Sequence, residues 1–331
     1  MPHAKYFVGG LIFSLLALGA AAAEPAAGRL PHVPPAAAGL TEEKLQQIDA
    51  IVQEGLEQKK MPGCVLLVGR RDKIALLKAY GNQRLEPTAE AMTTDTVFDL
   101  ASLTKPIATA TSVMILLDQG KLKLKEPVAT YLPEFAAGGK EKVTVQQLLI
   151  HVSGLIPDNP IKDYDDGPEK ALQRVFALRP QTPPGERFAY SDMNFVVLGE
   201  LVHKLSGRSV HEFSRDHIFH PLGMSETTFL PSEGLKQRAA PTEKRDGKWM
   251  QGEVHDPRAF KLGGIAGHAG LFSTAEDLAI YASMMLGRGE RGGKRILSED
   301  TWKLMTAPNK VPARRTSGQE YEGLRGLGWD M

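Results

Sequence analysis

Ser102 and Lys105 stand three residues apart in the run Phe98-Asp99-Leu100-Ala101-Ser102-Leu103-Thr104-Lys105-Pro106, at the head of an apolar helix reaching Leu117. On a helix this spacing puts both side chains on one face. A serine hydroxyl is a weak nucleophile until a nearby base takes its proton, and a lysine can be that base when its surroundings disfavour the charged ammonium. The first turn of a helix also offers backbone N–H groups to a developing oxyanion. Taken alone the pair is weak, because a serine N-cap beside a solvated lysine reads equally well. Against that reading, a lysine leading directly into an apolar helix is oddly placed for a solvated charge. Further on, Tyr190 lies in Pro183-Pro184-Gly185-Glu186-Arg187-Phe188-Ala189-Tyr190-Ser191-Asp192-Met193-Asn194-Phe195. Its phenol could act as a general acid or base. The local sequence favours a structural tyrosine, with Asp192 or Asn194 capping the helix that Phe195 enters.

Taken together, these segments resemble the serine β-lactamase and penicillin-binding protein superfamily, in its class C β-lactamase-like branch. Ser102-Leu103-Thr104-Lys105 matches the Ser-x-x-Lys element. Tyr190-Ser191-Asp192 matches the Tyr-x-Asn element, with Asp192 where Asn is commoner. Leu148-Leu149-Ile150-His151-Val152-Ser153-Gly154 is similar to a recurring helix and turn of the family, and Gly270 to Leu278 to another. The match runs from about residue 41 to the end. A finer resemblance, over Gly252 to Asp256 and Gly263 to Gly270, is to bacterial cell-wall enzymes that include a muramyl-L-alanine amidase and a low-molecular-weight penicillin-binding protein.

The resemblance implies that Ser102 attacks an amide or ester carbonyl to form an acyl-enzyme, with Lys105 and Tyr190 sharing the proton traffic. Asp192 puts an anion beside the lysine, which would weaken it as a base or help bind a cationic group. Asp192, His255 and His268 are the candidate substrate contacts. The histidines could instead only brace loops, and two without a third ligand make a weak metal case. His151 reads as structural. The chemistry calls for no cofactor and no metal. The substrate would be a small molecule or a peptidoglycan fragment. Alternatives are an esterase or β-lactamase of the same fold, or an impaired homologue that only binds cell-wall peptides.

The elements that must hold these groups are legible. Thr41, Glu42 and Glu43 open a helix with acids at its positive end. Cys64 to Val68 and Ile74 to Leu77 flank Arg70-Arg71-Asp72-Lys73 as a hairpin, so Cys64 reads as a buried structural thiol. Helices are predicted over 107–117, 145–150, 169–178, 195–205 and 275–285. Ser273-Thr274-Ala275-Glu276 reads as a capping box for the last of these. His268-Ala269-Gly270 therefore leads into a helix. It does not supply the Lys/His-x-Gly strand that the family uses as its third element. An early strand pair followed by a long helical middle predicts an α+β fold: an antiparallel sheet flanked by helices, plus an all-helical lobe. No return to strands is legible. In relatives the third element follows a Gly-Leu-Gly-Trp segment, and here Gly326-Leu327-Gly328-Trp329 is followed by Asp330-Met331. The fold is accordingly expected to lack its last strands and helix.

Residues 1–23, with Lys5 ahead of an apolar run closing on Ala21-Ala22-Ala23, have the pattern of a secretory signal peptide. An uncleaved membrane anchor is the bland alternative. Residues 24–40 read as a Pro/Ala-rich linker without packed structure, and residues 41–331 as the hydrolase domain. Over 331 residues, 40 Lys and Arg face 39 Asp and Glu. That balance gives no electrostatic case for nucleic acid or an anionic membrane, and the single cysteine excludes an internal disulfide framework. An exported, periplasmic or secreted enzyme with no stable membrane span after cleavage is expected.

Overall fold

The computed structural model describes residues 28–331; the expected signal peptide lies outside them. Helix α1 (Glu42–Glu57) follows an extended Thr41, with both acids in its first turn. It packs against β2 (Lys73–Arg84), which pairs antiparallel with β1 (Gly63–Arg70) from Gly63 opposite Gly81 to Arg70 opposite Lys73. A register shift at Val68/Gly69 accommodates the turn, and β3 (Glu90–Ala91) adds a short third strand. Cys64 is only partly buried in β1, and burial raises its thiol above the ordinary value.

The Pro/Ala-rich stretch departs from expectation, because from residue 28 onward it is packed. Leu30 and Ala38 are buried. Ile74 N–H donates to Pro31 O and Val33 N–H to Ile74 O, each at 2.9 Å. Arg29 and His32 pair with Glu276, which fastens the stretch to a distant helix. Prolines hold a chain extended, and an extended chain can run beside a strand using its carbonyls and its remaining amides.

The helical lobe is built around a hydrophobic segment. A wide, π-helical turn (Lys105–Ala110) runs into α2 (Thr111–Asp118), and every residue from Lys105 to Leu116 is buried. The chain leaves α2 through Gly120 at φ +68°, a left-handed turn that glycine makes without strain. Around it stand α3 (Val145–Leu149), α4 (Pro168–Ala177) and α5 (Asp192–Ser206), whose Phe195, Val197, Leu198 and Leu201 are fully buried. Each such side chain contributes about 1.5–3 kcal/mol. Helix α5 begins at Asp192, three residues earlier than the apolar periodicity predicts. Helix α6 (Ala275–Leu286) is capped by Thr274, whose hydroxyl accepts from Asp277 N–H. Ser273 is not part of that cap. It lies in the short strand Phe272–Ser273, so the expected capping box does not form and Thr274 alone caps the helix.

Strands do return after α7 (Glu299–Thr306): β6 (Asn309–Arg314) pairs with β7 (Glu320–Gly326), and β7 with the short β8 (Trp329–Asp330). The sequence hides this sheet for a physical reason. In β6 only Val311 and Ala313 alternate inward, on either side of Pro312, and most of β7 is exposed; the pair is tied by Lys310–Glu322 and Arg314–Glu320 ion pairs on its surface. Its far end is held by backbone: Leu327 N–H donates to Met305 O, and Gly328 N–H to Leu149 O. At Gly328 a Cβ would stand 2.6 Å from Ala110 Cβ, so glycine lets the strand end close on the buried segment. The molecule is α+β: antiparallel sheets with helices and a helical lobe.

Candidate active site

The nucleophile turn is suspended between two short strands. β4 (Phe98–Asp99) pairs with β5 (Phe272–Ser273), and Leu100 N–H donates to Leu271 O at 2.8 Å. The Asp99 carboxylate is almost wholly buried. One oxygen accepts Ala101 N–H at 2.8 Å, and the other accepts both the backbone N–H and Nδ1 of His255 at 2.9 Å. Ala101, the residue before Ser102, is held at φ +47°, a left-handed conformation that costs a non-glycine residue free energy. Asp99 thus anchors a strained turn that presents Ser102, and its side chain was not singled out from the sequence. Its signal was its place immediately before the Ser-x-x-Lys helix.

Lys105 is buried, and its Nζ lies 2.9 Å from Ser102 Oγ, 3.0 Å from His268 O and 2.7 Å from Asp192 Oδ1. The three-residue spacing therefore does bring the hydroxyl and the amine together. Asp192, read as a possible substrate contact, is the ion-pair partner of Lys105. Tyr190 lies with its ring centroid 5.0 Å from the ammonium and is partly exposed.

The Tyr190–Asp192 stretch is placed by the turn that follows α3. His151 sits at φ +59°, buried, with its ring stacked on Tyr190 at 4.5 Å. Its Nδ1 accepts Ser191 N–H at 3.1 Å and faces Asn194 Nδ2 at 3.3 Å, so the ring serves as an acceptor. Burial, reinforced by the charges of Arg325 and Lys105, holds His151 well below the usual histidine value, so it stays neutral. Ser153 Oγ donates to Asn194 Oδ1, and Ser191 Oγ to Ile156 O. His151 is thus structural, as its segment suggests, and it is the platform for Tyr190.

His255 and His268, the candidate substrate contacts, are both engaged within the protein. His268 is fully buried and offers its imidazole Nε2 to Asp256 Oδ1 at 3.0 Å, while its carbonyl fixes Lys105. Gly267 explains how the loop gets so deep, since a Cβ there would lie 2.0 Å from Phe195 O of α5. His255 is partly exposed, but its ring is engaged with Asp99 and does not line the cavity over Ser102. Its hydrogen bond to Asp99 raises it above the usual histidine value, against the effect of burial. Burial pushes the Asp256 carboxyl up, but its bonds to His268, to Ala259 N–H and the Arg258 charge together hold it well below the carboxylate range. Asp192, Asp256 and His268 bring candidate metal-ligand atoms within 4.8 Å of one another. The Lys105 ammonium already stands against this group as its cation.

A cavity of about 390 Å³ opens above Ser102, lined by Leu103, Lys105, His151, Tyr190, Arg325 and Trp329 among others. One wall is the helix head and the other is the end of β7 with β8. The second wall is hard to read because its sheet carries only the short Val311/Ala313 alternation, broken by Pro312. His268-Ala269-Gly270 passes beneath Lys105 as a loop, in agreement with its rejection as the third family element.

A buried lysine hydrogen-bonded to a serine on a strained turn, with a tyrosine over it, in an α+β frame, brings together groups of the kind that nucleophilic catalysis requires. A family model described as Beta-lactamase matches residues 48–331, and the chain belongs to that family. It is 32% identical to an N-acetylmuramyl-L-alanine amidase of Bacillus subtilis (strain 168), over 86% of this chain and 73% of that protein. It is 30% identical to a protein of Escherichia coli (strain K12) named "Putative D-alanyl-D-alanine carboxypeptidase", over 96% of this chain and 79% of that one. Among solved structures, a class C β-lactamase superposes with a TM-score of 0.68 at 21% identity, covering 82% of this chain and 72% of that one, which supports the fold. Among the described residues no helix is long and apolar enough to cross a membrane.

Proposed function

We propose that the protein is an exported serine hydrolase that forms an acyl-enzyme on Ser102 and acts on amide or peptide bonds of peptidoglycan-derived substrates. The observation that carries this reading is the 2.9 Å contact between Ser102 Oγ and the buried Nζ of Lys105. Ser102 Oγ attacks the scissile carbonyl, its proton passing to the lone pair of Lys105 in its neutral amine form, and the carbonyl oxygen becomes an oxyanion beside the Ser102 amide. Collapse expels the amine, protonated through Lys105 and Tyr190, and leaves an ester on Ser102. Water then attacks that ester, the same groups returning the proton to Ser102 Oγ. Asp192 and the His268 carbonyl keep Lys105 oriented throughout. The amidase and carboxypeptidase names of the relatives support a cell-wall substrate.

The test is labelling of the full chain with a fluorescent penicillin and mass spectrometry of the adduct. A single adduct on Ser102, lost in Ser102→Ala, is expected; unchanged labelling of that variant rules the nucleophile out. Comparing muropeptides, short acyl esters and a chromogenic cephalosporin then separates amidase or carboxypeptidase from esterase and β-lactamase activity. Fractionation of the native host tests export.

A further inference from the structure

Two adjacent residues far along the chain reach both members of the Ser102–Lys105 pair. The backbone N–H and Nδ1 of His255 both donate to Asp99 Oδ2 at 2.9 Å, while Asp99 Oδ1 accepts the N–H of Ala101, the residue before Ser102, at 2.8 Å. Asp256 Oδ1 accepts from His268 Nε2 at 3.0 Å, and the His268 carbonyl accepts from Lys105 Nζ at 3.0 Å. A carboxylate only accepts, so each imidazole presents a protonated nitrogen to its aspartate. The dipeptide itself is held still. Asp256 Oδ1 caps the short helix Pro257–Lys261 by accepting Arg258 N–H and Ala259 N–H, at 3.0 and 2.7 Å. Arg245 Nη2 donates to the carbonyls of Val254 and His255, and its guanidinium lies 3.7 Å from the ring centroid of Phe260 in that helix. Neither His255 nor Asp256 lines the cavity over Ser102.

We propose that His255-Asp256 is a positioning element for acylation. His255 fixes the nucleophile turn through Asp99, Asp256 fixes the lysine through His268, and together they set the 2.9 Å separation of Ser102 Oγ and Lys105 Nζ. A left-handed alanine is not a conformation the chain holds unaided. Ala101, at φ +47°, keeps it while its N–H meets Asp99. Asp99 is almost wholly buried, and a buried carboxylate that loses a donor turns to find another. Lys105 has a long, flexible stem, so fixed partners keep its amine beside Ser102. The His268 carbonyl is one of them. The imidazole that anchors that loop is fully buried, and its Nδ1 has no hydrogen-bond partner among the described residues, which leaves the bond to Asp256 to hold it. Because both arms leave one dipeptide, the two reacting groups are referred to a single rigid point. A displacement of about 1 Å between them is enough to cost about 100-fold in rate. The inference rests on the reading that Ser102 is the nucleophile and Lys105 its base.

The experiment follows acylation of the full chain by a fluorescent penicillin over a range of concentrations, which separates the limiting rate from the half-saturating concentration. His255→Ala should lower the limiting rate about 10- to 100-fold and leave half-saturation within about twofold. His255→Asn, whose amide nitrogen takes the place of Nδ1, should recover most of the rate. Asp256→Ser keeps a helix cap but is too short to reach His268, and should act as His255→Ala does; Asp256→Asn should recover. The double variant His255→Ala/Asp256→Ser should lose less than the product of the two single effects, because both move one distance. All rates are referred to the folded fraction in denaturation curves. An unchanged limiting rate, a rise in half-saturation that accounts for the loss, no rescue by the asparagines, a multiplicative double effect, or a loss accounted for by unfolding would overturn the proposal. A second readout needs no acyl-enzyme. In the Ser102→Cys chain, the pH dependence of iodoacetamide alkylation at position 102, read by mass spectrometry, reports how closely the Lys105 ammonium attends the thiol. Adding His255→Ala should move its midpoint up by about one pH unit, toward the ordinary thiol. A chain that takes no penicillin but shows this shift defeats only the acyl-enzyme. Labelling that His255→Ala does not slow defeats only the positioning element, and neither label nor shift defeats both.

Discussion

Lys105 and Arg325 are both nearly buried cations, and they face one cavity from opposite walls. Lys105 has every direction filled by the protein, with Ser102 Oγ, the His268 carbonyl and Asp192 all within 3.0 Å. Arg325 has an aromatic face beneath it, one exposed carboxylate against it and an unpartnered Nε. The difference follows from where each sits. Lys105 projects from a segment buried on all sides, so its partners are rigid backbone and side chains. Arg325 projects from a surface sheet, and its partners are the Phe188 ring and the exposed Asp330 carboxylate. The first arrangement suits a group that must hold one geometry through a reaction.

The largest effect should come from dismantling the helix wall. Lys105→Met is expected to slow acylation of Ser102 by about 10²–10⁴-fold, the range for loss of a positioned base, measured by the rate of penicillin labelling; acylation at the normal rate would leave Lys105 with a purely structural role. Next, Asp192→Ala leaves a buried ammonium without its counter-charge and should cost about 3 kcal/mol in chemical denaturation, softened by the partial exposure of Asp192 itself. A loss below about 1 kcal/mol would mean that the pair is no tighter than a surface one.

Asp277 supplies a control, being a buried carboxylate held by neutral donors, Glu226 N–H and Thr227 Oγ1, both on Oδ2. Burial, opposed by those two donors, raises it from the usual carboxylate value to about 6. Because the folded value lies above the unfolded one, the stabilising contribution is complete below about pH 3.8 and is lost as pH rises through about 6. Wild type should therefore lose about 2–3 kcal/mol between pH 4 and 7 from this residue. Asp277→Asn, whose Oδ1 can keep both hydrogen bonds, should remove that slope in denaturation curves; parallel curves for the two proteins would refute it. The smallest effect is reserved for the strand wall. Asp330→Ala should change stability by less than about 1 kcal/mol, as exposed ion pairs do, and a loss equal to that of Asp192→Ala would erase the contrast between the walls.

The same contrast marks how far the amino-acid order is readable. The spacing of Ser102 and Lys105, the Tyr190 stretch and the strongly periodic helices are local patterns, so they declare the family, the α+β class and the candidate nucleophile and base. The positions of the early helix and hairpin are equally local, set by Thr41, the acids after it and the polar turn at 70–73. The β6–β7–β8 sheet is not local. It is a charged surface pair whose strands are fixed by cross-strand backbone bonds and by Gly328 closing on Ala110. Arg325 was invisible for that reason.

The histidines show where a residue's type stops short of its role. Glycine-rich surroundings made His255 and His268 look like ligand contacts. Only the packed chain decides that His268 is buried against Asp256 and lends its carbonyl to Lys105, and that His255 clamps Asp99 beneath the strained Ala101. Sequence by itself determined which groups could react, because nucleophile and base lie within one helical turn. Tertiary structure alone decided what holds them and what faces them, because Asp192, His255, His268 and Arg325 reach the site across long stretches of chain, through contacts that no local period records.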